Sequence, residues 1–138
     1  MTSAPATCDT SVLVAAVADW HPMHVLARAS LRTRVTSIPA HTLLECYSVL
    51  TRLPAGHRVA ASAAGELLDR LDFRLLECPH DVQRALVRQL AIAGIAGGSV
   101  YDGLVAATAR HHRLALLSLD RRARTTYEVV GAGFEMLA

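Results

Sequence analysis

The sequence predicts an α/β domain whose parallel sheet is covered by helices on both faces, and three observations carry that prediction. Short apolar or β-branched runs alternate with longer segments of helical period, the order that right-handed β-α-β crossovers produce. Most of the strand candidates are continuously apolar rather than alternating, as strands buried on both faces are. With 138 residues, 52% of them hydrophobic, the chain suffices for one domain (residues 1–138) with its own core.

The elements follow in order. A short strand at Ala6 to Cys8 leads into Asp9-Thr10-Ser11, a capping triplet, and then the apolar helical run Val12 to Val17. His21 to Arg32 predicts a second helix with Pro22 near its first turn. Val35 to Ile38 is a β-branched strand stopped by Pro39. Ala40 to Leu53 has a helical period with Leu43, Tyr47 and Leu50 on one face, and Pro54-Ala55-Gly56 ends it. Val59 to Leu71 repeats that period, and Phe73 to Cys78 predicts a third strand. Val82 to Ile95 is an amphipathic helix closed by Gly97-Gly98, and Ser99 is placed to cap a helix over Val100 to His112. Leu114 to Leu119, Arg121 to Val130 and Phe134 to Leu137 complete the series as strand, helix and strand.

Composition excludes several functions. The segment Met1 to Thr7 lacks the basic and apolar regions of a signal peptide, and no long uncharged apolar stretch is present, so no membrane role and a cytoplasmic location are expected. Cys8, Cys46 and Cys78 are too few and too far apart for a disulfide framework or a zinc site. All 14 basic residues are Arg. A phosphate-loop lysine, a Schiff-base lysine and the lysine of a receiver domain are therefore unavailable.

In such a fold chemistry gathers at the carboxyl ends of strands, and two of four notable acids stand there. Asp9 ends the first strand, Asp120 follows the fourth, and Asp102 falls in the first turn of the helix leading toward it. Glu45 interrupts an apolar helix beside Leu43, Leu44, Cys46 and Tyr47. Each has an ordinary reading as well. Asp9 and Asp120 are suitable N-caps, Asp102 suits the positive end of a helix dipole, and Glu45 fits an exposed flank. If the four converge, each close like-charged pair costs on the order of 4 kcal/mol at an effective dielectric of 20. Such a cluster needs raised pKa values or a divalent cation, and all-oxygen donors suit Mg²⁺ or Mn²⁺ rather than zinc.

The segments Cys8 to Leu13, His41 to Leu53 around Glu45, Gly98 to Ala109 around Asp102, and Leu116 to Arg122 around Asp120 together resemble the PIN domain. Their order, spacing and surroundings, including Arg52-Leu53-Pro54, are similar to the VapC-type toxins of bacterial toxin–antitoxin systems over essentially the whole chain. The resemblance implies a three-layer α/β/α domain in which Asp9, Glu45, Asp102 and Asp120 bind one or two divalent ions. It also implies in-line hydrolysis of RNA by a metal-activated water, leaving a 5′-phosphate and a 3′-hydroxyl. Thr10 and Ser118 would support the pocket through hydroxyl hydrogen bonds, local capping being their alternative. Relatives of this kind act on structured RNA such as tRNA or rRNA, homodimerise, and are silenced by a small VapB-type antitoxin. The chain departs from the family pattern at Arg122, where many relatives carry an acid or Asn, and at Gly103, where Ala commonly follows the aspartate.

Arg121, Arg122 and Arg124 flank the last acid, where a grip on RNA phosphates and a solvated helix face are both open. His21-Pro22-Met23-His24 reads as a surface helix start rather than a metal site. A haloacid-dehalogenase phosphatase would need an acid at position 11, which is Ser. The remaining alternative is a catalytically silent RNA- or protein-binding module of the same fold.

Overall fold

The computed structural model describes residues 4–138; residues 1–3, which open the segment read above as unlike a signal peptide, lie outside them. Strand β1 (Ala6–Cys8) is followed by α1 (Thr10–Val17) and α2 (His24–Arg34). Then come β2 (Ser37–Pro39), α3 (Ala40–Thr51), α4 (Ala61–Asp69) and β3 (Arg74–Leu76). The second half runs α5 (His80–Ala93), α6 (Ser99–His111), β4 (Ala115–Ser118), a 3₁₀ turn (Arg121–Ala123), α7 (Arg124–Val130) and β5 (Phe134–Met136).

All strand pairings are parallel. One sheet has the order β1-β4-β5, with Thr7 opposite Leu116 and Leu117 opposite Glu135; a second pairs β2 with β3, Ile38 opposite Leu75. The expected single sheet is thus two registered pieces. An isolated parallel bridge, Ala6 to Val35, and the Thr7 hydroxyl donating to the Ser37 carbonyl at 2.9 Å join them. Because Ala6 uses its other edge to pair with Ala115, the strands lie in the order β3-β2-β1-β4-β5. Chain order reverses between β1 and β4, and ligand crevices form at such a switch point.

Adjacent residues of β4 show the three layers directly. Leu117 belongs to a core with α1, α2, α3 and α4, whereas Leu116 belongs to a core with α5, α6 and α7. One strand thus feeds two apolar cores, which its continuous apolar run requires. The first core holds Leu13, Ile38 and Leu50, and the second holds Tyr127 and Val130, all essentially inaccessible. Aliphatic side chains dominate both, as the low aromatic content requires.

Several boundaries move for identifiable reasons. α2 starts at His24 rather than His21, because the His21 imidazole accepts from the Met23 amide at 3.0 Å and holds Pro22 outside the helix. β2 starts two residues later than expected and ends on Pro39 itself. α5 ends at Gly94, whose left-handed φ of 73° makes the C-cap ahead of Gly97-Gly98. Ser99 is the first residue of α6, and Gly98 stands at its N-cap without a side-chain bond. The buried stripe of α3 is Thr42, Cys46 and Leu50, with Leu43 and Tyr47 only half-buried. The last helix is preceded by the 3₁₀ turn that Asp120 caps. Gly103 permits close packing of α6 on α5, since a Cβ there would stand 3.1 Å from Leu90 Cδ2. Among the described residues no helix is long and apolar enough to cross a membrane.

Candidate active site

Asp9 follows β1 directly, and backbone geometry fixes it there. Its amide donates to the Leu117 carbonyl of β4 at 3.1 Å, and its carbonyl accepts the first helical bond of α1 from Leu13. The side chain caps α1, with Oδ1 accepting from the Val12 amide at 3.3 Å. The ordinary N-cap reading is therefore correct, and it does not exhaust the residue. The Ser11 hydroxyl donates to Oδ1 while accepting from the Leu119 amide at 2.9 Å, so one hydroxyl joins the ends of β1 and β4. The Tyr127 hydroxyl donates to Oδ2 at 2.6 Å. Burial pushes the Asp9 carboxyl above its usual range, against the opposing pull of the Ser11, Ser118 and Tyr127 hydroxyls and the Val12 amide.

Asp120 caps the 3₁₀ turn, accepting from the Arg122 amide at 3.0 Å, and its own amide donates to Ser118 Oγ at 3.0 Å. Ser118 is fully buried, so this bond is shielded from solvent. Glu45 sits on α3 with a third of its side chain exposed, and His41, one turn earlier, lies 3.3 Å from its carboxylate. The His41 ring stacks nearly parallel on Tyr101, with 5.2 Å between centroids, and Tyr101 immediately precedes Asp102. That stack ties the glutamate helix to the start of α6 and so sets Glu45 relative to Asp102.

Asp9, Glu45, Asp102 and Asp120 line one open cavity of about 540 Å³, together with Thr10, Ser11, His21, Arg52 and Arg122. Asp102 records the convergence. Its carboxyl is pushed up to about 6, first by burial and then by the negative charges of Asp120, Glu45 and Asp9, with Arg122 acting weakly the other way. Arg122 Nε is 3.5 Å from Asp120, but its side chain is almost wholly exposed and so compensates little. What distinguishes the crevice is its excess negative charge at the switch point.

Of the residues read from the sequence, Thr10 lines the cavity and its buried Oγ1 has no hydrogen-bond partner. Ser118 lies beneath the cavity rather than on its wall. Arg122 is at the rim, whereas Arg121 is exposed and outside the lining. Arg124 pairs with Glu128 at 3.2 Å on the last helix. Sequence reading missed Tyr127, Ser11, His41 and the placement of His21 and Arg52. Ser11 had a visible signal, the polar triplet after Asp9; Tyr127, 118 residues away from its partner, had none.

The donor set is entirely oxygen, and the orphaned Thr10 hydroxyl is a polar atom prepared for a ligand or its water. Among the described residues no three acidic, His or Cys side chains already stand at chelating separation. A small hard divalent cation held by one or two carboxylates and several waters fits that spacing; a fully protein-ligated ion does not.

A family model for the PIN domain matches residues 6–129. The chain belongs to the PIN-domain family. Its relatives include Ribonuclease VapC27 of Mycobacterium tuberculosis (strain ATCC 25618 / H37Rv), 41% identical over 128 residues that cover 92% of this chain and 93% of that protein. Ribonuclease VapC40 of Mycobacterium tuberculosis (strain CDC 1551 / Oshkosh) is 42% identical over 130 residues, covering 94% and 96%. Solved structures share the fold at lower identity. The Mycobacterium tuberculosis toxin VapC20, described as cleaving the sarcin-ricin loop, aligns with TM-score 0.67 and 21% identity over 89% of this chain and 94% of that one. The VapBC2 complex of Rickettsia felis bound to a promoter DNA fragment aligns with TM-score 0.69 and 14% identity over 99% and 100%. The likeness to VapC proteins read from four sequence segments is thus found across the chain.

Proposed function

We propose that this chain is a Mg²⁺-dependent endoribonuclease toxin that hydrolyses structured RNA, tRNA or rRNA, and is held inactive by a small antitoxin protein. The observation that carries the reading is the convergence of Asp9, Glu45, Asp102 and Asp120 on one crevice, where four carboxylates outnumber the guanidiniums of Arg52 and Arg122. The VapC ribonuclease relatives at about two-fifths identity support it. Structural neighbours that are toxin–antitoxin complexes support the antitoxin, and homodimerisation is proposed by the same resemblance.

Asp9, Glu45, Asp102 and Asp120 would hold the cation, directly or through its waters, with Mn²⁺ as a substitute. When bound, such an ion neutralises phosphate charge and acidifies water. The protein residues have separable tasks. Asp9 is fixed by three hydrogen bonds, so its carboxylate is oriented before any ligand arrives. Asp102, crowded by burial and by its three acidic neighbours, gains most when a cation neutralises the cluster. Arg122, which lines the cavity, and Arg121 beside it in the chain would meet backbone phosphates. Hydrolysis by water leaves a 5′-phosphate and a 3′-hydroxyl, with no use of the ribose 2′-hydroxyl as nucleophile.

The test is to incubate the purified chain with total bacterial RNA and Mg²⁺, beside EDTA and Asp9→Asn controls, and to sequence the new 5′ ends. Discrete 5′-phosphate ends, lost in both controls, are expected. Intact RNA in all three samples, with no Mg²⁺ binding, would replace this reading with the silent binding module.

A further inference from the structure

Trp20 is the chain's single tryptophan, and it is 42% exposed in the turn between α1 and α2. Leaving so large a ring open forgoes much of the stabilisation that its burial would bring. The ring is nevertheless held in place. His57, from the turn between α3 and α4, packs on it with 4.1 Å between centroids and 31° between planes. The ring of His21, the next residue, is 5.8 Å away and tilted by 40°.

Two of these connections lead to the acidic cavity. His21 lines it, and the Met23 amide bonded to His21 Nδ1 leaves Nε2 as the ring's donor. Arg52, at the C-cap of α3 and the start of the turn that carries His57, lines it too. Trp20 and His57 therefore adjoin, through His21 and the turn that follows Arg52, a cavity wall that carries a guanidinium and the carboxylates. Single-stranded nucleic acid is gripped in this way, with bases on aromatic faces and phosphates on Arg. The rings that meet the indole are the polar imidazoles of His21 and His57, which favours a base over the apolar face of a protein partner.

We infer that Trp20, backed by His57, is a platform on which an unpaired nucleobase of the RNA stacks beside the cleavage crevice. The inference rests on the ribonuclease reading, and it assigns Trp20 a part in substrate positioning rather than in chemistry. The phosphate beyond the stacked base would be presented to the crevice past His21 and Arg52.

Because Trp20 is the chain's only tryptophan, its emission is a direct readout. The chain in Mg²⁺ is titrated with a nuclease-resistant phosphorothioate oligoribonucleotide and with an abasic strand of equal length and charge. The base-bearing strand is expected to quench Trp20 emission and the abasic strand to leave it unchanged. Trp20→Ala, which has no tryptophan and is followed by the anisotropy of a labelled strand, is expected to bind the base-bearing strand roughly ten- to a hundredfold more weakly, and to raise KM on RNA with kcat kept. Trp20→Phe, which keeps a stacking face, restores most of the affinity, and thermal melts of both variants show that the fold persists. Equal quenching by both strands, no quenching by either, or an unchanged KM in Trp20→Ala overturns the inference. RNA left uncut by the wild type in Mg²⁺ instead removes the ribonuclease reading, and base-dependent quenching then still reports the platform.

Discussion

Tyr127→Phe removes a single oxygen from the fold, the one that donates to the buried Asp9 carboxylate at 2.6 Å. The phenol is 1% exposed, so solvent is poorly placed to substitute for it. Its ring packs edge-on against Phe134, and Phe preserves that contact. A hydrogen bond to a charged group contributes about 1.5–3 kcal/mol. At roughly 2.1 cal/mol/K per residue, unfolding 138 residues carries about 290 cal/mol/K, so each kcal/mol moves Tm by about 3.4 °C. The variant should melt about 5–10 °C below the wild type at pH 8 in metal-free buffer. The pH dependence follows from Asp9, whose carboxyl burial already holds above its usual range. For such a group, stability is fully present below the unfolded pKa and is lost as pH rises through the folded one. Removing the Tyr127 hydroxyl removes one of the bonds that lower that pKa, so the folded value rises further in the variant. The deficit is therefore largest at pH 8 and narrows in acid, where only a neutral hydrogen bond of about 0.5–1.5 kcal/mol is missing. Circular dichroism melts taken from pH 8 stepwise into acid make the measurement. A Tm equal to the wild type at pH 8, or a deficit that does not change with pH, would refute the reasoning.

Asp102→Asn should be more stable than the wild type above pH 6 without metal, by on the order of 1 kcal/mol once solvent screening of this half-exposed group is allowed for. The sign follows from a carboxyl titrating at about 6: the stability it confers when protonated is lost as pH rises through that value, so the gain vanishes in strong acid. Millimolar Mg²⁺ should raise the Tm of the wild type more than that of the variant, since a ligand of the native state stabilises in proportion to its affinity; equal shifts in both would remove Asp102 from the cation site. Leu13→Ala, at a wholly buried position of the first core, should cost about 3 kcal/mol and lower Tm by about 10 °C, with RNA-cutting specificity retained by the folded fraction. A loss under 1 kcal/mol in denaturant titration would mean that this core is not packed as described.

The order of elements was legible because apolar runs and breakers are local features. Pro39 and Gly56 sit next to the segments they delimit, and Asp9, Asp102 and Asp120 could be placed at strand and helix ends without tertiary information. What stayed hidden depends on distance along the chain. The seam between β1 and β2 rests on one bridge and one threonine hydroxyl, neither of which leaves a periodic trace. Tyr127 reads as one more apolar residue of a terminal helix until the fold brings it to Asp9. The stripe of α3 moved by one position because Thr42 turns inward to donate to the Cys8 carbonyl at 3.3 Å, and a polar residue gives no hydrophobic signal. Glu45 was readable as misplaced, but its partner His41 and the Tyr101 stack that holds α3 to α6 were not.

The central claim is that four carboxylates act as one cation-binding unit on RNA, and cleavage rates of the single variants Asp9→Asn, Glu45→Gln, Asp102→Asn and Asp120→Asn at fixed Mg²⁺, beside the double variant Asp9→Asn/Asp102→Asn, test it most directly. Residues that act as a unit are non-additive, so each single change should lower the rate about a hundredfold or more and the double should be little slower than the slower single. A single variant that cuts RNA at the wild-type rate, or losses that simply multiply in the double, would contradict it.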